Sequence, residues 1–234
     1  MTLAEVRRGV RRLENSRRAD TLRRFFKTGP GEYGAGDRFL GLTVPEVRSL
    51  VRRYRGAPRE VRKGLVASSF HEERLLGLLL LVDQYRQGGP EEREVLYREY
   101  VEAFPRINNW DLVDATAEHV VGAHLASLRA SPLAAWAKSE NLWIRRISIL
   151  ATFHLIRRGR FRETLRIARI LLRDPHDLIH KAVGWMLREV GKRDVRAAEG
   201  FLRSHYRSMP RTMLRYAIER FPERKRLAYL RGTV

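Results

Sequence analysis

Three stretches place groups able to do chemistry at the border of apolar surface. In Asn108-Asn-Trp-Asp-Leu-Val-Asp114, Trp110 and Asp114 stand four residues apart, on one face of a helix. Asn108 can cap that helix. The same stripe continues through Ala117 and Val121, so the pair borders a core. A carboxylate beside an indole at such an edge suits acid–base or electrostatic catalysis. It equally fits a half-buried Trp and an Asp paired with an Arg. The second stretch is Trp143-Ile-Arg-Arg-Ile, where Arg146 leads the apolar stripe Ile149, Leu150, Phe153 and Arg145 points about 100° away. An Arg in that position can brace a neighbouring helix through its stem, or present its guanidinium to a ligand. The third is Leu178-Ile-His-Lys-Ala-Val-Gly-Trp-Met-Leu-Arg-Glu-Val-Gly-Lys192. Its core stripe is Ile179, Ala182, Val183, Met186 and Val190, and Trp185 lies off it, near Lys181, Arg188 and Lys192. An aromatic ring among cations suits nucleic acid; the competing reading packs Trp185 against an adjacent repeat.

The elements that must position these groups are helices. Apolar residues recur at three- and four-residue spacing almost throughout, and no stretch alternates for more than about four residues, so the expected class is all α. The spacing predicts helices over Leu3–Glu14, Ala19–Thr28, Pro45–Arg55, Glu60–Ser68, Glu72–Gln87, Glu91–Ala103 and Asn109–Val121. It predicts further helices over Leu133–Ser139, Leu142–Arg158, Phe161–Leu172, Asp177–Val190, Val195–His205, Pro210–Phe221 and Glu223–Leu230. Thr43-Val-Pro-Glu46 reads as a capping box, and Asp174-Pro-His-Asp177 and Ser208-Met-Pro210 as further helix starts. Similar apolar helices open at Glu73, Trp110, Arg145 and His180, at intervals of about 35–37 residues, the length of a two-helix solenoid repeat, and Pro210 opens another. The expected architecture is therefore one domain, residues 1–234, built as a superhelical array of HEAT-like repeats with a concave basic face.

Composition narrows the partners. The 234 residues carry 47 Lys plus Arg against 27 Asp plus Glu, a formal net charge of +20, with 44% hydrophobic residues. That is a globular chain calling for a polyanion, nucleic acid first. Only six of the basic residues are Lys, and Arg grips phosphate as a planar fork. Base composition and a hot habitat also favour Arg, so its abundance is not all functional. The absence of Cys excludes disulfides, zinc fingers and thiol nucleophiles. The longest apolar run, Leu75–Val82, falls short of a membrane span, and Met-Thr-Leu-Ala-Glu-Val-Arg-Arg at the start holds no signal-peptide core, so a cytoplasmic, nucleoid-associated protein is expected. Gly29-Pro-Gly31-Glu-Tyr-Gly34 matches G-x-G-x-x-G formally, but it follows a basic amphipathic helix and not a strand. His176 and His180 lack a third metal ligand. No metal or cofactor is expected.

Five segments resemble the DNA alkylation repair family, whose characterised branch is the AlkD-type alkylpurine DNA glycosylases. They are Phe26-Lys-Thr-Gly-Pro-Gly-Glu-Tyr-Gly-Ala-Gly-Asp-Arg-Phe-Leu-Gly-Leu-Thr-Val-Pro45, Asn108–Asp114, Trp143-Ile-Arg-Arg-Ile147, Asp177–Lys192 and Met209-Pro-Arg-Thr-Met-Leu-Arg-Tyr-Ala-Ile-Glu219. The resemblance spans about residues 15–232. It implies a superhelix of HEAT-like repeats that excises cationic N3- and N7-alkylated purines, such as 3-methyladenine and 7-methylguanine, by hydrolysing the N-glycosidic bond in duplex DNA. The family's catalytic Asp matches Asp114, its two sugar-contacting Trp residues match Trp110 and Trp185, and its phosphate-contacting Arg matches Arg146. A family Tyr in the second helix falls at Phe25, so its hydroxyl contact is missing.

The resemblance also implies that the damaged base need not be flipped, and that Asp114 stabilises positive charge on the sugar while orienting a water. Lys181, Arg188, Lys192, Arg211 and Arg215 are the candidates for backbone contacts, and Ser208-Met-Pro-Arg211 offers a helix N-terminus to a phosphate. A monomer with no obligatory protein partner is expected. Two other classes compete: a non-catalytic HEAT-like protein binding damaged or branched DNA, which Phe25 favours, and a protein-interaction scaffold, which the charge disfavours.

Overall fold

The computed structural model describes residues 1–126 and 131–234, and among them there is no strand, only an isolated bridge between Arg38 and Phe70. The chain divides into two compact units, Met1–Val120 and Val121–Val234.

The first unit holds α1 (Leu3–Arg11), α2 (Ser16–Phe25), α3 (Val44–Arg53), α4 (Arg59–Val66), α5 (His71–Gln87), α6 (Pro90–Glu102) and α7 (Trp110–Asp114). Two of the starts are reciprocal capping boxes, Thr2 with Glu5 and Thr43 with Glu46, the second as its sequence predicts. Helix α5 is the hub: α3, α4, α6 and α7 all pack on it. Its Leu75–Val82 run is buried with little regard to helical face, except for half-exposed Leu79, which is why it reads as strongly apolar and weakly amphipathic.

The second unit holds α8 (Ala123–Leu125), α9 (Leu133–Trp136), α10 (Leu142–Ala151), α11 (Phe153–Ile156), α12 (Arg162–Ile170), α13 (Asp177–Gly191), α14 (Val195–His205), α15 (Arg211–Ala217) and α16 (Glu223–Arg231). Helix α13 packs on α10 and α15 as well as on its chain neighbours α12 and α14, as stacked two-helix repeats require. The α13 stripe Ile179, Ala182, Val183, Met186, Val190 is fully buried, as its spacing predicts. Each larger side chain of that stripe contributes about 1.5–3 kcal/mol. Gly184 lets α15 approach: a Cβ there would lie 2.6 Å from the Met213 carbonyl oxygen.

Two expected helices are interrupted. The helix expected over Asn109–Val121 stops at Asp114 and resumes as a π-helical turn, Glu118–Gly122. The helix expected over Leu142–Arg158 breaks between Ala151 and Phe153. A buried Thr marks each break. Thr116 donates its hydroxyl to the Leu112 carbonyl and Thr152 donates to that of Ile149 at 2.7 Å, diverting oxygens the helical ladder would otherwise use. Likewise α15 is shorter than its apolar pattern, and its N-cap, Pro210, supplies no side-chain cap. Among the described residues no helix is long and apolar enough to cross a membrane.

Candidate functional site

In the first unit the site is built around α7. Asn109, rather than Asn108, caps it: the Asn109 side-chain oxygen accepts from the Trp110 N–H at 2.9 Å. Asn108 turns instead to Asp37, donating from Nδ2 at 2.8 Å. The buried Asp37 carboxylate is the reason, because it draws donors from every side. Arg74 donates to it at 2.6 Å, His71 Nδ1 at 3.2 Å and Asn109 Nδ2 at 3.4 Å. The other nitrogen of His71 donates to Asp111 at 2.7 Å. Residues from the Gly-rich loop, from the first turn of α5 and from α7 are thus tied into one buried polar network beneath Trp110. Asp37 arrives there because Gly34 lets its loop close on α2, where a Cβ would sit 2.4 Å from the Phe26 carbonyl oxygen.

Next to the network lies an aromatic stack. Phe39 stacks on His71 at 4.6 Å between ring centroids, Phe26 stacks on Phe39 at 5.1 Å, and Trp110 stacks on Phe26 at 5.2 Å. Phe25, 61% exposed, meets the Trp110 ring edge-on at 5.9 Å. These rings line a cleft of about 260 Å³ whose walls include Leu22, Val47 and Leu75. A neighbouring carboxylate, Glu72, accepts the N–H groups of Leu40, Gly41 and Leu42 and so fixes the strand-like segment carrying Phe39. Trp110 therefore stands on a rigid base.

The electrostatics follow from burial. His71 is 2% exposed. Desolvation is the largest influence on its ring and pushes its pKa down. Asp111 and then Asp37 outweigh it and hold His71 up at about 9, from its usual 6.5. Burial likewise pushes Asp37 up, but the hydrogen bond from His71, the Arg74 charge and Asn108 bring it below the usual carboxylate range. At neutral pH the network is two cations facing two anions. A raised histidine stabilises the fold fully below pH 6.5 and loses that contribution as pH rises through 9. The expected loss is about 3 kcal/mol. Thermal melts of the protein and of a His71→Gln variant check this: the wild-type minus variant difference should shrink between pH 6.5 and 9.5, and a constant difference would contradict it.

Asp114 is half-buried at the end of α7, one face with Trp110. Buried Tyr100 feels its charge: desolvation first, then Asp114, push the phenol up, against a hydrogen bond with Thr116. Tyr100 is thus a neutral donor at physiological pH.

In the second unit, Arg146 is 5% exposed and donates from Nη1 to the Leu178 carbonyl on α13. That bond braces the neighbouring helix, one of the two roles open to Arg146 in sequence. Arg145 is also structural, bonding Asp174 at 2.6 Å and the carbonyls of Ser139 and Glu140. Trp185 is half-buried, its ring edge-on to Phe153 at 5.8 Å, so the packing reading holds for one side of the indole. The basic candidates on α13 have carboxylate neighbours: Lys181 with Asp177 at 2.7 Å, Arg188 with Glu219, Lys192 with Glu189 at 2.5 Å. Arg211 donates to the Leu230 carbonyl, and exposed Arg215 pairs with no carboxylate among the described residues. His176 Nδ1 caps α13 by accepting from the Leu178 N–H, and His180 bonds the Asp174 carbonyl. Among the described residues no three potential ligands gather as a metal site requires.

The model of a family described as DNA alkylation repair enzyme matches residues 6–221. The chain belongs to that family. A solved structure described as a predicted DNA alkylation repair enzyme from Enterococcus faecalis is similar to it, with a TM-score of 0.69 at 18% identity, over 90% of this chain and 97% of that one. At that identity the likeness speaks for the fold, an all-α helical solenoid. No curated protein matches the chain. The network of Asp37, His71, Arg74 and Asp111 has no motif that announces it, although His71-Glu-Glu-Arg74 is an unusual opening for the most apolar helix of the chain.

Proposed function

We propose that the protein is a DNA glycosylase that hydrolyses the N-glycosidic bond of N3- and N7-alkylated purines in duplex DNA without metal or cofactor. The observation that carries this reading is the half-buried Trp110–Asp114 pair, anchored on a rigid polar and aromatic base, in a chain of the alkylation repair family. Alkylation at N3 or N7 makes the purine cationic, so it leaves as a neutral base carrying the bonding pair. The barrier is the positive charge then appearing on the deoxyribose, as in sugar hydrolysis. The Asp114 carboxylate stabilises that charge and orients the water whose oxygen bonds C1′, the water's proton passing to the carboxylate or to solvent. The indole of Trp110 packs on the sugar, excludes bulk water and adds the attraction of its π face. Trp185 presents a second indole, Arg146 holds its helix and a flanking phosphate, and Lys181, Arg188, Lys192, Arg211 and Arg215 follow the backbone. The family resemblance implies that the base need not be extruded, unlike the usual glycosylase pattern, and a leaving group that needs no protonation is compatible with that.

Duplex binding should be nearly independent of sequence. Its logarithmic salt slope should be about −0.9 for each phosphate neutralised. Titration of an undamaged duplex at several salt concentrations checks this, and a flat salt response would contradict duplex binding. Release of free base from an alkylated duplex tests the chemistry. The second reading, a DNA-binding protein without turnover, draws on Phe25, which stands exposed beside Trp110 with no hydroxyl to offer. It predicts the salt slope without the release.

A further inference from the structure

A second aromatic and basic cluster lies where α11 ends and α13 gives way to α14. Phe153 is its centre. The Arg157 guanidinium lies 4.5 Å from the Phe153 ring centroid and that of Arg193 lies 5.9 Å from it, while Trp185 meets the same ring edge-on. Beside them lies a shallow, open cleft of about 640 Å³ lined by Arg157, Arg193, Arg196, Asp194 and Val195. All three arginines are exposed.

A structural reason covers part of this. Cations at helix C-termini complement the helix dipole, which accounts for Arg157 after α11 and Arg193 after α13. It fails for Arg196, the second residue of α14, which stands at the positive end of its helix with no partner among the described residues. Nor do Asp194 and Glu189 pair with Arg196. Asp194 caps α14 by accepting the Ala197 N–H, and Glu189 is shared between Arg193 and Lys192. The field is felt next door: burial first, then Arg158, Arg157 and Arg160, hold His154 down at about 4.

We propose that this cleft binds a backbone phosphate of duplex nucleic acid, as an anion site separate from Arg146 and the α13 candidates. Continuity argues for that occupant, because Phe153 joins the arginines directly to Trp185. Arg193 lies eight residues beyond Trp185, about 12 Å along the helix. The planar forks of Arg157 and Arg196 engage the phosphate oxygens, and Arg193 supplies a third charge. This inference rests on the duplex-binding part of the proposed function and not on catalysis.

The test is titration of an undamaged 20-base-pair duplex at several salt concentrations with the full-length protein, R157Q/R196Q, R157K/R196K, and R48Q/R52Q. The last removes the same charge from exposed positions of α3. Thermal melts confirm that each variant is folded. The expected result is a fall in the salt slope of about 1.8 in R157Q/R196Q, with affinity at least tenfold weaker near 0.1 M salt. The Lys variant should recover the slope and the α3 variant should keep it. An unchanged slope in R157Q/R196Q beside a steep one in the parent overturns the cleft and leaves the duplex reading standing. Equal losses in R157Q/R196Q and R48Q/R52Q also overturn it, since bulk charge then explains the effect. A parent that shows no salt-dependent binding overturns both readings.

Discussion

Asp114→Asn should lower the rate of base release from an alkylated duplex by at least about 10²-fold, while duplex affinity changes by less than about threefold. The amide has nearly the shape of the carboxylate, so the packing of α7 against α5 survives. In the proposed mechanism, what disappears is the negative charge that stabilises the positive charge developing on the sugar. Removing one well-placed electrostatic stabiliser typically costs a factor of 10²–10³. Single-turnover release of 7-methylguanine, with protein in excess over DNA, isolates the chemical step from product release. A variant within threefold of the parent would place the chemistry elsewhere on the surface.

Asp37→Ala should lower stability by about 3–5 kcal/mol, the usual cost of removing one partner from a buried ion pair. Asp37 is 7% exposed and serves four donors: Arg74, His71, Asn108 and Asn109. The substitution leaves the buried Arg74 guanidinium without its carboxylate and His71 with Asp111 alone. For a chain of this size the melting temperature should fall by roughly 6–20 °C. Asn108 and Asn109 also lose their anchor, so α7 and Trp110 loosen and base release declines even at temperatures where the variant is folded. Circular dichroism melts check the first effect. A shift under 2 °C would mean that the network stabilises nothing.

These two residues differ in how plainly the sequence announces them. Asp114 shares a face with Trp110 at a spacing any helix enforces, and the motif around it is compact. Asp37 stands in a Gly-rich loop, and its partners lie about 35 and 70 residues away, so only the folded chain brings them together. His71-Glu-Glu-Arg74 is legible as charge, yet all four side chains are buried, because their partners come from α1, from the loop and from α7. Periodicity reports burial by apolar character and is silent on charges buried in pairs.

The helices were far easier to read than their interruptions. Val195–His205 forms as its spacing predicts, and α13 exceeds its expected end by one residue. The breaks at Thr116 and Thr152 leave the apolar stripe intact and depend on where a hydroxyl hydrogen points. Asn108 and Asn109 pose the same problem. Either can cap α7, and the choice falls to the Asp37 carboxylate, which takes Asn108. Arg146 heads an apolar stripe, which leaves bracing and ligand contact both open, and only the fold shows that the Leu178 carbonyl receives it.

The most direct test of the central claim is release of free base by the native protein. Purified protein is incubated with duplexes carrying 7-methylguanine or 3-methyladenine, in the presence of a metal chelator, and the soluble fraction is analysed for the modified purine. The account predicts release of the alkylated base, leaving an abasic strand, with no release of unmodified guanine or adenine. Tight, salt-dependent binding of the same duplexes with no release of either adduct would contradict it.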